Sequence, residues 1–242
     1  MRLHLDYAGK PARTIYYSEE ENMRIVAFSD LHGTQNEVLM GRHVTIDIPD
    51  GDILICAGDF CNSGSLDDVI SFNKWFFQLP HRRKIVIAGN HDRIFEKDPY
   101  TARLYLNDDI VYLQDESKVI DGIRFHGMPW TLPFNNWAFM AGEEFIDHKL
   151  SRLPDWKSDE AIDVLISHGP ACGILDRIPN KSDLGSKSLY KHIDERIRPK
   201  LSIFGHIHAS YGHYKGIDTD FYNVSLLNEN YDLVNKPVIY DL

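Results

Sequence analysis

Short apolar runs recur along the chain at Arg24–Ser29 (RIVAFS), Ile53–Ala57 (ILICA), Lys84–Ala88 (KIVIA), Val164–Ser167 (VLIS) and Leu201–Phe204 (LSIF). Each is hydrophobic on both faces, the pattern of a strand covered on each side by other elements. Between the second and third runs the period changes. Val69, Phe72, Phe76 and Leu79 fall at i, i+3, i+7 and i+10, with Ser65 as N-cap and Pro80 as terminator, which predicts a helix over Ser65–Leu79. The first two runs are spaced as a strand-helix-strand crossover requires, so the sheet is expected to be parallel or mixed. Val111–Leu113 reads as a further strand, and Lys118–Gly127 as a hairpin turning at Asp121-Gly122. Phe221–Leu226 and Val238–Leu242 read as the last strands. With no repeat and no Pro/Gly/Ser-rich linker, residues 1–242 read as a single α/β domain.

The chemistry lies just past the C-terminal end of each run. Arg24–Ser29 leads into Asp30-Leu31-His32-Gly33, Ile53–Ala57 into Gly58-Asp59, and Lys84–Ala88 into Gly89-Asn90-His91-Asp92. Val164–Ser167 leads into His168-Gly169-Pro170, and Leu201–Phe204 into Gly205-His206-Ile207-His208. The carboxyl ends of parallel strands share one edge of an open sheet, so these distant residues are expected to meet there. Glycine beside a ligand residue lets the backbone turn sharply and come close to what is bound. Two Asp, one Asn and up to five His, with no cysteine, suit Mn, Fe, Co, Ni or Zn and do not resemble a closed structural zinc site. So many donors exceed one ion and suit two sharing a carboxylate, the arrangement that serves displacement at phosphorus.

Composition narrows the class. Hydrophobic content of 43% and charged content of 26% exclude a disordered or coiled-coil chain. Lys+Arg of 26 against Asp+Glu of 36 gives −10, which argues against a broad duplex nucleic-acid surface and against a grip on an anionic membrane. Cys56, Cys61 and Cys172 show no C-x-x-C spacing and point to a reducing compartment. Met1–Lys10 alternates polar and apolar residues without the core of a secretory signal. No run has the length of a membrane span, and the expected location is the cytoplasm. Asn180-Lys-Ser182 and Asn223-Val-Ser225 match the glycosylation pattern but have no consequence there. Serine-hydrolase, dinucleotide, P-loop and zincin motifs are absent.

The ordered series Asp30-x-His32, Gly58-Asp59, Gly89-Asn90-His91-Asp92, His168 and Gly205-His206-x-His208 resembles the calcineurin-like metallophosphoesterase superfamily. Phe72-Asn73-Lys74-Trp75, Lys84–His91, Met128-Pro129-Trp130, Arg198-Pro199-Lys200-Leu201 and Tyr222-Asn223-Val224-Ser225 are similar to its metallophosphoesterase domain-containing branch, akin to class III cyclic-nucleotide phosphodiesterases. The resemblance implies a four-layer sandwich of two stacked, mostly mixed β-sheets flanked by helices. It implies two divalent ions (Mn, Fe, Ni, Co or Zn), with Asp30, His32 and His208 on the first, Asn90, His168 and His206 on the second, and Asp59 bridging. His91 would be the general acid, and Asn90 and His91 would also touch substrate. The implied reaction is hydrolysis of a small phosphodiester, cyclic nucleotides among the candidates, by a metal-bridging hydroxide while His91 assists the leaving oxygen.

Alternatives are a phosphomonoesterase, a nuclease of the same superfamily, and a metal-bound module without turnover. The acidic balance counts against the nuclease and the full ligand set against the module. Asn62 and Ser63 stand where the protein-phosphatase branch carries Asp and Arg, so a bidentate phosphate clamp is missing. Some animal members of the closer branch carry glycine in place of the histidine at position 206, which weakens their second metal; His206 implies an intact pair.

The remaining candidates have plainer expectations. His4, His43, His81, His148, His192 and His213 lack ligand-rich neighbours and are expected at the surface or satisfied locally. The same is expected of His126, although its place after a strand and before Gly127 leaves a border of the pocket as the alternative. Cys61 is expected to pack rather than react, Asp92 to orient a neighbour of the site, and His81-Arg82-Arg83-Lys84 to form a solvated turn. Trp130, Phe134, Trp137 and Phe139 are expected to pack in the core, the alternative being a pocket wall, and the segment Gly127–Gly142 that carries them is a candidate cap over the pocket.

Overall fold

The computed structural model describes residues 22–42, 44–181 and 183–242. The apolar runs form its central strands: β1 (Arg24–Phe28), β2 (Ile53–Cys56), β3 (Arg83–Val86), β4 (Ile110–Tyr112), β5 (Glu116–Ile120), β6 (Ile123–Met128), β7 (Val164–Ser167), β8 (Leu201–Phe204), β9 (Gly212–Lys215), β10 (Asp220–Asn223) and β11 (Val238–Asp241). They make a five-stranded sheet in the order β11-β1-β2-β3-β4 and a six-stranded sheet in the order β5-β6-β7-β8-β10-β9. β1 to β4 are parallel and β11 antiparallel to β1. In the second sheet β6, β7, β8 and β10 are parallel, with the antiparallel hairpin partner β5 at one edge and β9 at the other.

Alternation along each strand divides the interior. Ile25, Ala27, Ile53, Ile55 and Ile85 face the second sheet and pack with Phe125, Val164, Ile166, Leu201 and Ile203. Val26, Phe28, Leu54 and Cys56 face outward under the helix α1 (Leu66–Phe77), meeting Val69, Phe72, Trp75 and Phe76. The outer face of the second sheet, with Leu165 and Phe204, is covered by α2 (Glu143–Leu150) and α3 (Lys187–His192) through Ile146, Leu150 and Leu189. Four layers result, the sandwich that the resemblance implies.

The predicted helix is two residues shorter at its C-terminal end, and Ser65 caps it: its Oγ accepts from the Asp68 amide, while Asp68 Oδ2 accepts from the Ser65 amide, each at 3.1 Å. A cap of this kind contributes about 1 kcal/mol. The expected strand Phe221–Leu226 stops at Asn223 for a topological reason. Beyond it the chain crosses to the first sheet, where Ser29 N–H donates to the Val224 carbonyl at 3.0 Å and Leu226 N–H to that of Ser29 at 3.1 Å.

One expectation fails in part. Arg82 and Arg83 do form exposed ion pairs with Asp121. His81 and Lys84, however, are buried, with Lys84 Nζ donating to the His81 carbonyl at 2.9 Å and His81 Nε2 on the Pro49 carbonyl. The run therefore seals the base of β3 instead of forming a wholly solvated turn. The expectations at Met1–Lys10, His4, His43 and Ser182 lie outside the described residues. Among those described, no helix is long and apolar enough to cross a membrane.

Candidate metal centre

Asp30 and His32 follow β1, Asp59 follows β2, Asn90 and His91 follow β3, His168 follows β7, and His206 and His208 follow β8. The two sheets end side by side, and all eight expected residues meet there. The turns are tight: Asp30, His32, Asp59 and His206 have φ of 57°, 44°, 52° and 69°, the left-handed region that costs a residue with a side chain roughly 1–2 kcal/mol. Backbone bonds hold the strain in place, Asp30 N–H donating to the Gly58 carbonyl and His32 N–H to that of Asp59, each at 3.0 Å. Glycine is required beside them. A Cβ on Gly58 would stand 2.7 Å from His168 Nδ1, and one on Gly89 or Gly205 would collide with the carboxylate of Asp59 or Asp30.

The donor atoms form overlapping groups. Asp30 Oδ1 lies 3.3 Å from His208 Nε2 and 3.9 Å from His32 Nε2, and the two Nε2 atoms are 3.2 Å apart. Asp59 Oδ2 lies 3.3 Å from His168 Nε2 and 3.7 Å from His32 Nε2, while Asn90 Oδ1 is 3.1 Å from His168 Nε2. Ligand atoms of Asp59, His168 and His206 fall within 4.8 Å of one another, as do those of Asp30, His32 and His208 and those of His32, Asp59 and His91. Asp59 therefore belongs to groups on both sides, the place expected of a shared carboxylate.

Backbone carbonyls set the imidazole orientations. Nδ1–H donates to Ala57 in His168 at 2.9 Å, to Asn228 in His208 at 3.0 Å and to Asn62 in His91 at 2.7 Å, which turns each Nε2 inward. Asp30 Oδ2 accepts from the Ser225 hydroxyl at 2.7 Å, from the Ser29 hydroxyl and from the His206 amide at 3.1 Å. Asp59 Oδ1 accepts from the His91 amide at 2.7 Å. Asp92 is buried behind them and accepts the amides of Asp59, Cys61 and Gly89 at 2.7–2.8 Å, tying the end of β2 to that of β3. Burial and the neighbouring Asp59 push its pKa up to about 7.

Electrostatics favour a cation. Burial alone would raise the Asp30 and Asp59 carboxyls, yet the facing His208 and His168 outweigh it and hold both well below the usual range. Burial pushes His32 down to about 4 and His206 to about 3. His168 moves the other way, to about 9, because Asp59 overrides its burial, and His208 is likewise raised by Asp30. His32 Nδ1 is buried with no partner among the described residues. The two buried carboxylates draw positive charge onto His168 and His208, a charge that a divalent ion would replace, while His32 and His206 present neutral ring nitrogens to it. Donors at roughly 2.0–2.2 Å from a common ion stand about 3–3.6 Å apart, close to the separations seen here. The donor set fits divalent cations.

A cleft of about 580 Å³ opens over this group. Leu132, Pro133, Phe134, Asn135 and Trp137, from the expected capping segment, form one wall, and Ile178, Lys181, Asp183, Leu184, Ile207 and Tyr231 also line the cleft. Tyr231 meets His32 edge-on at 4.9 Å. The sequence pattern does not single out Tyr231, Ile178, Lys181 or Ser29 for the site, and it places Ser225 in a family-like motif without a role. Cys61 packs in the core with its thiol pushed up by burial. His126 is buried away from the cleft, its Nδ1 2.9 Å from the Ser117 hydroxyl.

Residues 23–210 match the family model described as calcineurin-like phosphoesterase. Human metallophosphoesterase domain-containing protein 1 is 34% identical over 244 residues, covering 90% of this chain and 71% of its own length. A UPF0046 protein of Caenorhabditis elegans is 32% identical over 252 residues, covering 96% and 85%. The crystal structure of phosphopantetheinyl hydrolase from Mycobacterium tuberculosis superposes with a TM-score of 0.55 at 18% identity, covering 87% of this chain and 92% of that one.

Proposed function

This chain belongs to the calcineurin-like phosphoesterase family and is a metal-dependent phosphoester hydrolase, and from that premise we propose that its substrate is a small phosphodiester, cyclic nucleotides included. Asp30, His32 and His208 would hold one divalent ion and Asn90, His168 and His206 the other, with Asp59 shared. Bound there, such ions supply Lewis acidity toward the phosphoryl oxygens and a water acidic enough to react near neutral pH. The chain's own residues do the rest. The floor fixes the phosphoryl group, the wall receives the ester substituents, and His91, its Nδ1 occupied by Asn62, offers Nε2 to the leaving oxygen.

The character of the wall carries the preference for a diester. Lys181 is the sole lysine or arginine among the described residues lining the cleft, and Leu132, Pro133, Phe134, Trp137, Ile178 and Tyr231 supply apolar surface. A monoester dianion presents three peripheral oxygens that seek charge-assisted donors. A diester carries one negative charge and two organic groups, which this wall suits. The net charge of −10 supports a small ligand over duplex nucleic acid. The free Cys56, Cys61 and Cys172 fit a reducing cytoplasm, and the core shared by both sheets fits one domain over the described residues.

Mono- and diester rates on one preparation test the proposal. With Mn²⁺, bis-p-nitrophenyl phosphate should turn over faster than p-nitrophenyl phosphate, EDTA should abolish both, and a panel of 2′,3′- and 3′,5′-cyclic nucleotides should include a substrate. A faster monoester overturns the diester reading.

A further inference from the structure

The strongest unassigned feature around the site is the packing that holds His91. Its ring is anchored at one atom, Nδ1–H donating to the Asn62 carbonyl at 2.7 Å. A single hydrogen bond leaves an imidazole free to tilt about that contact. Packing removes the freedom: the Trp137 indole stacks on the ring with centroids 3.9 Å apart and planes 23° from parallel, and His32 meets it edge-on at 4.3 Å and 85°.

Trp137 is itself held in place. The Arg93 guanidinium lies 4.5 Å from the indole centroid, and its Nη2 donates to the Asn136 carbonyl at 3.2 Å. On the other flank Ala138 N–H donates to the Asn90 carbonyl at 3.2 Å, and Phe139 N–H to Glu96 Oε1 at 2.7 Å. Both flanks of Trp137 are thus bonded to the same segment, 90–96, that carries His91. A tryptophan that merely lined the cleft would need no such ties.

We infer that Trp137 is a positioning residue that acts through His91, holding the imidazole so that Nε2 meets the leaving oxygen. This rests on the proposed role of His91, and it adds a dependence that the role alone does not contain. Protonation matters when the leaving group is a poor anion and matters little when it is a stable one. A misaligned His91 therefore costs rate selectively.

The test uses the full chain loaded with Mn²⁺ and two diesters of one shape, p-nitrophenyl methyl phosphate and phenyl methyl phosphate. Trp137→Leu should lower kcat on the phenyl ester by roughly tenfold or more, part of the ~10²–10⁴-fold that acid-base assistance supplies, and on the nitrophenyl ester by under about threefold. KM should stay nearly constant, and Trp137→Phe, which keeps a stacking face, should restore most of the loss. In a His91→Ala background Trp137→Leu should have no further effect, because the two act as one unit. An equal loss on both esters, a change in KM alone, or a loss that multiplies with His91→Ala overturns the inference and leaves Trp137 a wall residue. If His91→Ala itself slows both esters equally, the leaving-oxygen role is what fails. The positioning of His91 is then decided by its Cε1 resonance in ¹³C-labelled protein loaded with diamagnetic Zn²⁺. Broadening or a second peak in Trp137→Leu upholds it, and an unchanged resonance overturns it.

Discussion

The floor of the cleft takes its side chains from strand ends, whereas the wall takes its side chains from connections outside the ladders. Asp30 and His168 on the floor are fully buried, while Phe134 and Tyr231 on the wall are 39% and 55% exposed. Asp30, Asp59, His91, His168 and His208 each have a backbone or hydroxyl partner that fixes them, such as the Ser225 hydroxyl on Asp30 and the Ala57 carbonyl on His168. Away from Trp137 the wall relies on ring contacts, such as Phe134 against His206 at 5.1 Å. Where atoms must meet within a few tenths of an ångström, the fold uses strained turns and hydrogen bonds. Where it must accept organic groups, it uses exposed apolar loops. Floor substitutions should therefore abolish turnover, and wall substitutions should redirect it.

Asp59→Ala breaks the floor where its groups overlap. Metal content per chain should fall, and kcat/KM should drop by more than the roughly 10²–10³-fold lost with a single transition-state donor. Elemental analysis beside diester kinetics checks both. Full activity with two ions retained would remove Asp59 from the centre. Ser225→Ala probes the support under the floor, since it takes from Asp30 the 2.7 Å hydroxyl bond while leaving every donor present. Metal affinity should weaken by roughly 10–100-fold, the scale of losing a partner that orients a ligand. Competition with a chelator of known affinity measures it, and an unchanged affinity would make Ser225 a packing residue.

The same contrast explains what could be read without coordinates. The floor was legible because each ligand follows an apolar run and stands beside glycine, and parallel strands bring such positions to one edge. Gly58 and Gly205 mark close approach by their lack of a Cβ. Ser225 was less so. It acts only because the chain leaves β10 and crosses to β1, a topological event with no local signature. Asn62, Ala57 and Asn228 contribute backbone carbonyls, which every residue type possesses. Charge alone places Lys84 in solvent, whereas its Nζ donates to the His81 carbonyl under the sheet.

On the wall, Phe134→Ala should leave metal content unchanged. It should raise KM for an aryl diester by roughly two- to tenfold, the equivalent of the ~0.5–1.5 kcal/mol that an aromatic contact contributes, and should affect a dialkyl ester less. Loss of metal in this variant would join the wall to the floor and dissolve the distinction.

The smallest effect concerns a buried histidine that belongs to neither region. His126 is as deeply buried as the ligands, and burial pushes its pKa down to about 4 although Asp115 acts to raise it. The unfolded chain binds this proton near pH 6.5 and the folded one only near 4. Between those values the unfolded state holds more protons, so stability rises with pH. The contribution is fully present above about pH 6.5 and is lost as pH falls toward 4. In metal-free protein the urea midpoint should fall across that window. His126→Asn, whose amide can replace Nδ1 opposite the Ser117 hydroxyl, should flatten part of the fall without touching metal content or diester turnover at neutral pH. A variant that kept the full slope would assign the acid sensitivity to the floor histidines. One that lost metal would show that His126 is coupled to the centre, and burial of an imidazole could then no longer be separated from ligation in this fold.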